Sequence, residues 1–241
     1  MRARLIAAGV ALALVSALSA QAATRGDPFE AFNRGQFNLQ QALERRFLAP
    51  LASIFRHLTP GPIGKAIHNI LVNLSEPVVV MNDMLQIRPA RAGAASIRFV
   101  VNSTAGLAGM IDVVGKTGVP HRPSSFGDTL GRYGVGPGPY LFLPMIGPST
   151  VRDLFGNIVD AVADPVHFAR YPYRQQVSIY LAVAGGLDQL ASSESDLRSL
   201  LAGATDPYAT LRSTYLQHRQ AEISGEAFAP AALPDLDDPE L

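Results

Sequence analysis

The sequence predicts an all-α protein, and three observations carry that expectation. Apolar residues recur at helical spacing, Asp-Pro pairs stand where helices should begin, and no set of alternating segments is available to build a sheet. The Asp-Pro device occurs at Asp27-Pro28, Asp164-Pro165 and Asp206-Pro207. Each places an N-cap carboxylate before a proline whose missing N–H costs nothing in a first helical turn.

The order of elements follows from these marks. Met1 to Arg4 carries two arginines, Leu5 to Leu18 is uncharged and apolar, and Ala20-Gln21-Ala22 has the small residues of a signal-peptidase site. Residues 1–22 are therefore expected to be a cleaved signal peptide. An uncleaved anchor is the rival, but Ser16, Ser19 and Gln21 shorten the apolar part below the roughly 20 residues that span a bilayer. Residues 23–223 read as one domain. Asp27 opens its first helix, with Glu30 three residues on as in a capping box and with Phe29, Phe32 and Phe37 crowded along it. Thr59-Pro60-Gly61-Pro62 and Ser75-Glu76-Pro77 read as stop-and-start points, and Ile63, Ile67, Ile70, Leu71 and Leu74 between them form one apolar face.

Ile97 to Val114 is an almost uncharged run broken by Asn102, Ser103, Thr104, Gly106 and Gly109. Its second half should be a loop, yet Met110, Ile111, Val113 and Val114 continue it. That pattern fits a buried re-entrant hairpin or a segment touching lipid. Tyr140 to Leu143, bracketed by Pro139 and Pro144, is expected to be extended. Ser149 is the expected N-cap of a helix on which Val151, Leu154, Phe155, Ile158, Val159 and Val162 share a face, opposite a solvated face of Asp153, Asn157 and Asp160. A long helix from about Tyr173 to Ala202, interrupted near Gly185-Gly186, precedes a last one begun by Asp206-Pro207 and running through Leu211, Tyr215 and Leu216. Residues 224–241, rich in Ala, Pro, Asp and Glu, are expected to form a disordered acidic tail.

Composition excludes several functions. The chain has 20 basic and 20 acidic residues, and without Arg2 and Arg4 the net charge becomes −2, so nucleic acid is not an expected partner. There is no cysteine, hence no disulfide, and five scattered histidines (His57, His68, His121, His167 and His218) offer no zinc spacing. Gly134-Val135-Gly136-Pro137-Gly138-Pro139 lacks the N–H donors and the following helix of a phosphate loop. No serine has a nucleophile-elbow setting, and Asp153 and Asp160 lie two helical turns apart. No catalytic site, metal or cofactor is expected.

Several segments together resemble the MlaA (VacJ) family. They are Asp27-Pro28-Phe29-Glu30-Ala31-Phe32-Asn33-Arg34 with Phe37-Asn38, Asn73-Leu74-Ser75-Glu76-Pro77, and Arg98-Phe99-Val100-Val101-Asn102-Ser103-Thr104-Ala105-Gly106-Leu107. To these add Phe126-Gly127-Asp128-Thr129-Leu130-Gly131-Arg132-Tyr133-Gly134-Val135-Gly136 with Gly138-Pro139-Tyr140, Gly147-Pro148-Ser149-Thr150-Val151-Arg152-Asp153 after Leu143-Pro144, and Asp206-Pro207-Tyr208. The order is the family's, and the similarity runs from about Asp27 to Arg219.

The resemblance implies a ring-like helical domain lying in the inner leaflet of the outer membrane, on its periplasmic side. A central channel there would take mislocalised phospholipids from the outer leaflet and pass them to a periplasmic carrier of the same pathway, next to porin trimers. Gly106 to Phe126 matches a hairpin beside that channel, which draws attention to Gly106, Gly109, Met110, Ile111, Asp112 and Phe126 as gating residues. Asn102 and Thr104 lead into it. Asn33 and Phe37 in the first motif, and Gly127, Leu130, Tyr133 and Tyr140 in the later ones, complete the candidate channel set. A porin-docking adaptor that moves no lipid is the alternative. Family members usually carry an acylated cysteine at the mature N-terminus; this sequence has none, so attachment would rest on its helices. Intact-mass measurement of protein taken from membranes is expected to show a chain beginning at Ala23 without added acyl mass, and a retained leader would overturn this.

Overall fold

The computed structural model describes residues 27–59, 61–164 and 174–225. Helix α1 (Glu30–Leu43) passes through one π-helical turn, Glu44–Leu48, into α2 (Ala49–Leu58). Next come α3 (Pro62–Leu85), α4 (Pro89–Thr104), a connecting segment with one 3₁₀ turn, and the short α5 (Phe126–Arg132). A hairpin of β1 (Tyr140–Leu143) and β2 (Gly147–Thr150) follows, then α6 (Val151–Ala163), α7 (Arg174–Ala202) and α8 (Pro207–Ser224). The architecture is a mostly helical single domain rather than all-α, because the expected extended segment finds a partner. Tyr140 pairs with Thr150 and Leu143 with Gly147 in antiparallel register, closed by a turn in which Met145 and Gly147 take positive φ.

Four local expectations are revised. Ser75-Glu76-Pro77 does not stop a helix: α3 runs through Pro77, since its close packing on α4 outweighs one lost backbone hydrogen bond. Gly185-Gly186 does not interrupt α7, where two glycines cost only about 1 kcal/mol each. Thr150, not Ser149, caps α6 by accepting from the Asp153 N–H at 3.2 Å, because Ser149 belongs to β2. Asp27 forms no capping box with Glu30, whose carboxylate binds Arg34 at 2.8 Å instead. Asp206 does cap α8, accepting from the Ala209 N–H at 3.1 Å. The signal peptide, the Pro165 helix start, His167 and residues 226–241 of the expected tail lie outside the described residues.

The distribution of polarity is inverted. The largest fully buried side chains are Glu76, Asn33, Asn82, Thr150 and Asp83, all of them polar. Large apolar side chains point outward. On α4 the inner face is Ala92, Ala95, Arg98 and Asn102, whereas Ile97 and Val100 are each 58% exposed. On α6 the expected solvated face divides: Asn157 is exposed as expected, but Asp153 is buried and Asp160 half-buried, while Ile158 and Val162 of the apolar face project outward. Helix α2 presents Leu51, Ile54 and Leu58, and α7 presents Ile179, Tyr180 and Val183, in the same way. Periodicity located the α6 stripe but could not say that Ile158 and Val162 in it face away from the protein.

A compact aromatic knot supplies the conventional core. Phe37, Tyr140, Phe142, Tyr208 and Leu211 cluster, with Phe37 edge-on to Phe142 at 5.5 Å between ring centroids and to Tyr208 at 5.9 Å. Asn33 ties α1 to the hairpin, donating to the Tyr140 carbonyl at 3.0 Å and accepting from the Phe142 N–H at 2.9 Å. The Asp27 carboxylate accepts from Asn33 and from the Tyr208 hydroxyl, and Arg34 pairs with Asp206 at 2.6 Å while lying over the Tyr208 ring. The first family motif is thus a clasp joining α1, β1 and α8.

A second charged knot fixes α6. Asp153 accepts from Arg219 at 2.8 Å, from the Tyr215 hydroxyl at 2.8 Å and from Arg152 at 3.0 Å. Burial alone would raise its pKa, but the Arg219 hydrogen bonds, the two guanidinium charges and Tyr215 bring it down to about 2. A carboxylate depressed from about 3.9 contributes stability that is complete above the unfolded value and lost as pH falls through the folded one. That contribution is about 2 kcal/mol. Thermal melts in detergent should therefore lose Tm between about pH 4 and pH 2, and Asp153→Asn should lower Tm at pH 7 while flattening this slope; an unchanged slope would remove Asp153 as its source.

Candidate functional site: a charged interior between two helices

The residues that α3 and α4 turn toward each other build the site. Asn73, Glu76, Val79, Asn82 and Asp83 recur along the inner face of α3, and Ala92, Ala95, Arg98 and Asn102 along that of α4. The alanines let the helices approach while leaving room for long charged side chains. Arg98, 3% exposed, donates through Nε to Glu76 Oε1 at 2.6 Å. Its other nitrogens reach the Val119 carbonyl at 2.7 Å and Asp112 at 3.3 Å. His121 Nδ1 shares Glu76 Oε1 at 3.1 Å. Burial works against the Arg98 charge, and Glu76 and Asp112 more than restore it, so its pKa is raised.

The same network pins the connecting segment between α4 and α5. Asn102 donates to Asp112 at 2.9 Å and accepts from the Val113 N–H at 2.9 Å and the Val114 N–H at 3.2 Å. Asp112 also accepts from the Gly115 N–H at 2.8 Å; although burial opposes ionisation, that bond with those from Asn102 and Arg98 lowers its pKa. Gly106 and Gly109 serve close approach here rather than loose backbone. A Cβ on Gly106 would lie 2.3 Å from the Ile111 carbonyl oxygen, and Gly109, at φ +90°, sits against Asn73. Leu107, Met110 and Ile111 project from this pinned base into the surroundings.

Among the described residues, cavities flank the helix pair on both sides of α3. One of about 360 Å³ is lined by Glu76, Val79, Asp83, Arg91, Ala95, Arg98 and Arg122. It shares Arg91 and Arg122 with a second of about 200 Å³, to which Arg88, His121 and Asp128 contribute. The third, about 440 Å³, lies on the other side of α3 between α6 and α7; Leu71, Leu74, Val78 and Leu181 make it apolar, with Asp160 and Asp164 at its edge. Asp160, raised in pKa chiefly by burial, accepts from Asn82 at 2.8 Å and from the Phe126 N–H at 2.9 Å, fixing the start of α5.

A family profile described as MlaA lipoprotein matches residues 25–222. The chain belongs to that family. It is 34% identical over 218 residues, 88% of this chain and 84% of the relative, to the intermembrane phospholipid transport system lipoprotein MlaA of Shigella flexneri. The protein of the same name from Escherichia coli strain K12 is 33% identical over 218 residues, with 88% and 84% coverage. An uncharacterised protein of Rickettsia bellii is 36% identical over 199 residues, 82% of this chain and 76% of the relative. A solved structure described as "Structural basis for maintenance of bacterial outer membrane lipid asymmetry" superposes with a TM-score of 0.70 at 33% identity, covering 83% of this chain and all of the other.

Within this MlaA-family fold the residues singled out from the sequence have separate tasks. Asn33, Phe37 and Tyr140 belong to the aromatic knot and clasp; Asn102 and Asp112 belong to the latch around Arg98. Gly106 and Gly109 shape the turn, from which Met110 and Ile111 project, and the Thr104 hydroxyl only closes the end of α4 onto the Val100 carbonyl. Phe126 packs near Phe155, Gly127 abuts Asp153, Leu130 is buried, and exposed Tyr133 donates to the Leu85 carbonyl at 2.7 Å. None of them lines the three cavities. The cavity residues that sequence reasoning missed are Glu76, Asp83, Arg91, Arg98 and Arg122. For the four on helices the signal was present as isolated charges within largely apolar helices, Arg91 and Arg98 being two turns apart on one face of α4; Arg122, in the connecting segment, gave none.

Removing one partner of a buried ion pair leaves the other charge stranded, which costs about 3–5 kcal/mol, whereas replacing both can be neutral. Arg98→Met is expected to lower thermal stability by that order and to expose Lys116 to limited proteolysis, because the 112–121 segment loses its anchor. Glu76→Gln combined with Arg98→Met should recover most of the loss; strict additivity in this cycle would show that the pair is not coupled.

Proposed function

We propose that this protein removes mislocalised phospholipids from the outer leaflet of the outer membrane and delivers them to a periplasmic carrier, making and breaking no covalent bond. The observation that carries the reading is the inverted polarity: apolar side chains outward on α2, α4, α6 and α7, around an interior of carboxylates, amides and guanidiniums beside open cavities. In water each such exposed side chain forgoes up to about 1.5–3 kcal/mol of burial; in hydrocarbon it does not. The names of the Shigella and Escherichia relatives as phospholipid transport lipoproteins agree with this assignment.

No helix among the described residues is long and apolar enough to cross a membrane. The reading that fits both facts is a domain seated within one leaflet, the periplasmic one, with its rim in lipid and its charged interior as the path for headgroups. Attachment then depends on the apolar faces, since the sequence offers no thiol to acylate. The segment from Gly106 to Phe126, apolar at its turn and latched at its base by Arg98, is the element suited to control access to that path. Porin trimers and a carrier protein of the same transport system are the partners this role requires.

Cells lacking the protein should show more phospholipid at the cell surface, measured as substrate accessible to added phospholipase. The native chain should reverse this, and the Arg98→Met, Glu76→Gln pair should do so incompletely. Protein extracted from membranes should resist release by high salt, yield to detergent, and carry phospholipid by mass spectrometry. Recovery in the soluble periplasm free of lipid would instead indicate a docking adaptor.

A further inference from the structure

The cavity between α3 and α4 contains a charge that the fold itself leaves unmatched. Asp83 is 1% exposed, lines the 360 Å³ cavity, and its Oδ1 is shut off from solvent without a hydrogen-bond donor. A buried carboxylate without donors is strongly unfavourable, so such groups are normally satisfied by protein, water or ligand. The nearby cations do not fill this need. Arg98 is committed to Glu76, Asp112 and the Val119 carbonyl, and His121 to Glu76. Arg88 feels the charge of Asp83 but forms no hydrogen bond with it.

The opposite charge is equally unmatched in the same space. Arg91 lines both polar cavities, and its buried Nε has no acceptor. Arg122 lines both as well and is exposed, which puts it at the mouth. Among the described residues neither guanidinium has a carboxylate or carbonyl partner. One cavity therefore offers an acceptor-only carboxylate on one wall and two donor-only guanidiniums on the other, in a volume within the range of small-ligand sites.

We infer that this cavity binds a zwitterionic headgroup with a primary ammonium, taking the ammonium on Asp83 and the phosphate between Arg91 and Arg122. The chain thereby favours ethanolamine-type phospholipids over glycerol and choline types. A primary ammonium gives Asp83 both an opposite charge and N–H donors. A glycerol headgroup gives hydroxyls alone, and a quaternary choline gives charge without a donor. Two guanidiniums suit phosphate because their N–H forks match its oxygens. The inference rests on the transport reading and specifies which headgroup that path admits first.

The full chain, reconstituted with mixed micelles of phosphatidylethanolamine, phosphatidylglycerol and phosphatidylcholine in equal parts, tests it when bound lipids are counted by native mass spectrometry. The native protein should enrich the ethanolamine lipid on the order of tenfold, the effect of one charge-assisted hydrogen bond. Asp83→Asn, nearly isosteric, should abolish that enrichment with total bound lipid unchanged. Arg91→Gln with Arg122→Gln should lower occupancy by all three lipids. Soluble glycerophosphoethanolamine should displace the bound lipid better than inorganic phosphate; equal competition would reduce the site to a phosphate site and overturn the ammonium assignment. Unbiased binding by the native chain, or enrichment that survives Asp83→Asn, would overturn the inference and leave transport standing. Absence of any bound lipid would end both.

Discussion

A guanidinium and a carboxylate sealed between two helices hold this architecture in place. Arg98 and Glu76 are 3% and 1% exposed, and their 2.6 Å contact sits where most domains would place leucines. Desolvating both ions is expensive, and the pair survives because nearly every remaining donor is used: Val119 and Asp112 take the rest of Arg98, and His121 adds to Glu76. The pair therefore does more than join α3 to α4. It determines where the segment after α4 must lie, since that segment supplies Asp112, Val119 and His121.

This constraint has a second consequence. An interior built on charges and amides can be no larger than its hydrogen bonds allow, and the bulky apolar residues must go elsewhere. They go outside. In water such a molecule would expose Ile97, Val100, Ile158 and Val162 at a cost that a polar interior does little to offset. In the leaflet placement proposed above the same side chains would become the favourable term, and the buried charges would form a polar space that lipid tails avoid. On that proposal stability and lipid handling draw on one arrangement. The aromatic knot of Phe37, Tyr140, Phe142 and Tyr208 is the exception, a conventional core that joins the two chain ends of the domain through Asp27, Asn33 and Asp206.

The helical spans and their amphipathic stripes were legible in the sequence, as were the extended Tyr140–Leu143 segment and the Asp206 cap. Local breakers were overrated. Pro77 and Gly185-Gly186 lie inside continuous helices because a packed helix tolerates a loss of a few kcal/mol that an isolated one would not. The sense of the α6 stripe was in part misjudged for a different reason. On α6, alternation at helical spacing distinguishes one face from the other but carries no sign, and Asp153 and Asp160 looked solvated until the structure put Arg219 and Asn82 opposite them.

The candidate site shows the same division. Gly106, Gly109 and Asp112 could be noticed from sequence because unusual residues interrupt an apolar run, and the resemblance to a known family gave that run a role. Asp83, Arg91 and Arg122 could not be brought together, since they belong to two helices and a loop and meet only when α3 packs on α4. The sequence by itself determined the helices, their two-faced character and the family, because these follow from local spacing and from motifs in order. Only the tertiary structure decided which face is inside and which charges remain unmatched, because both depend on what stands across the interface, and no local pattern encodes its partner.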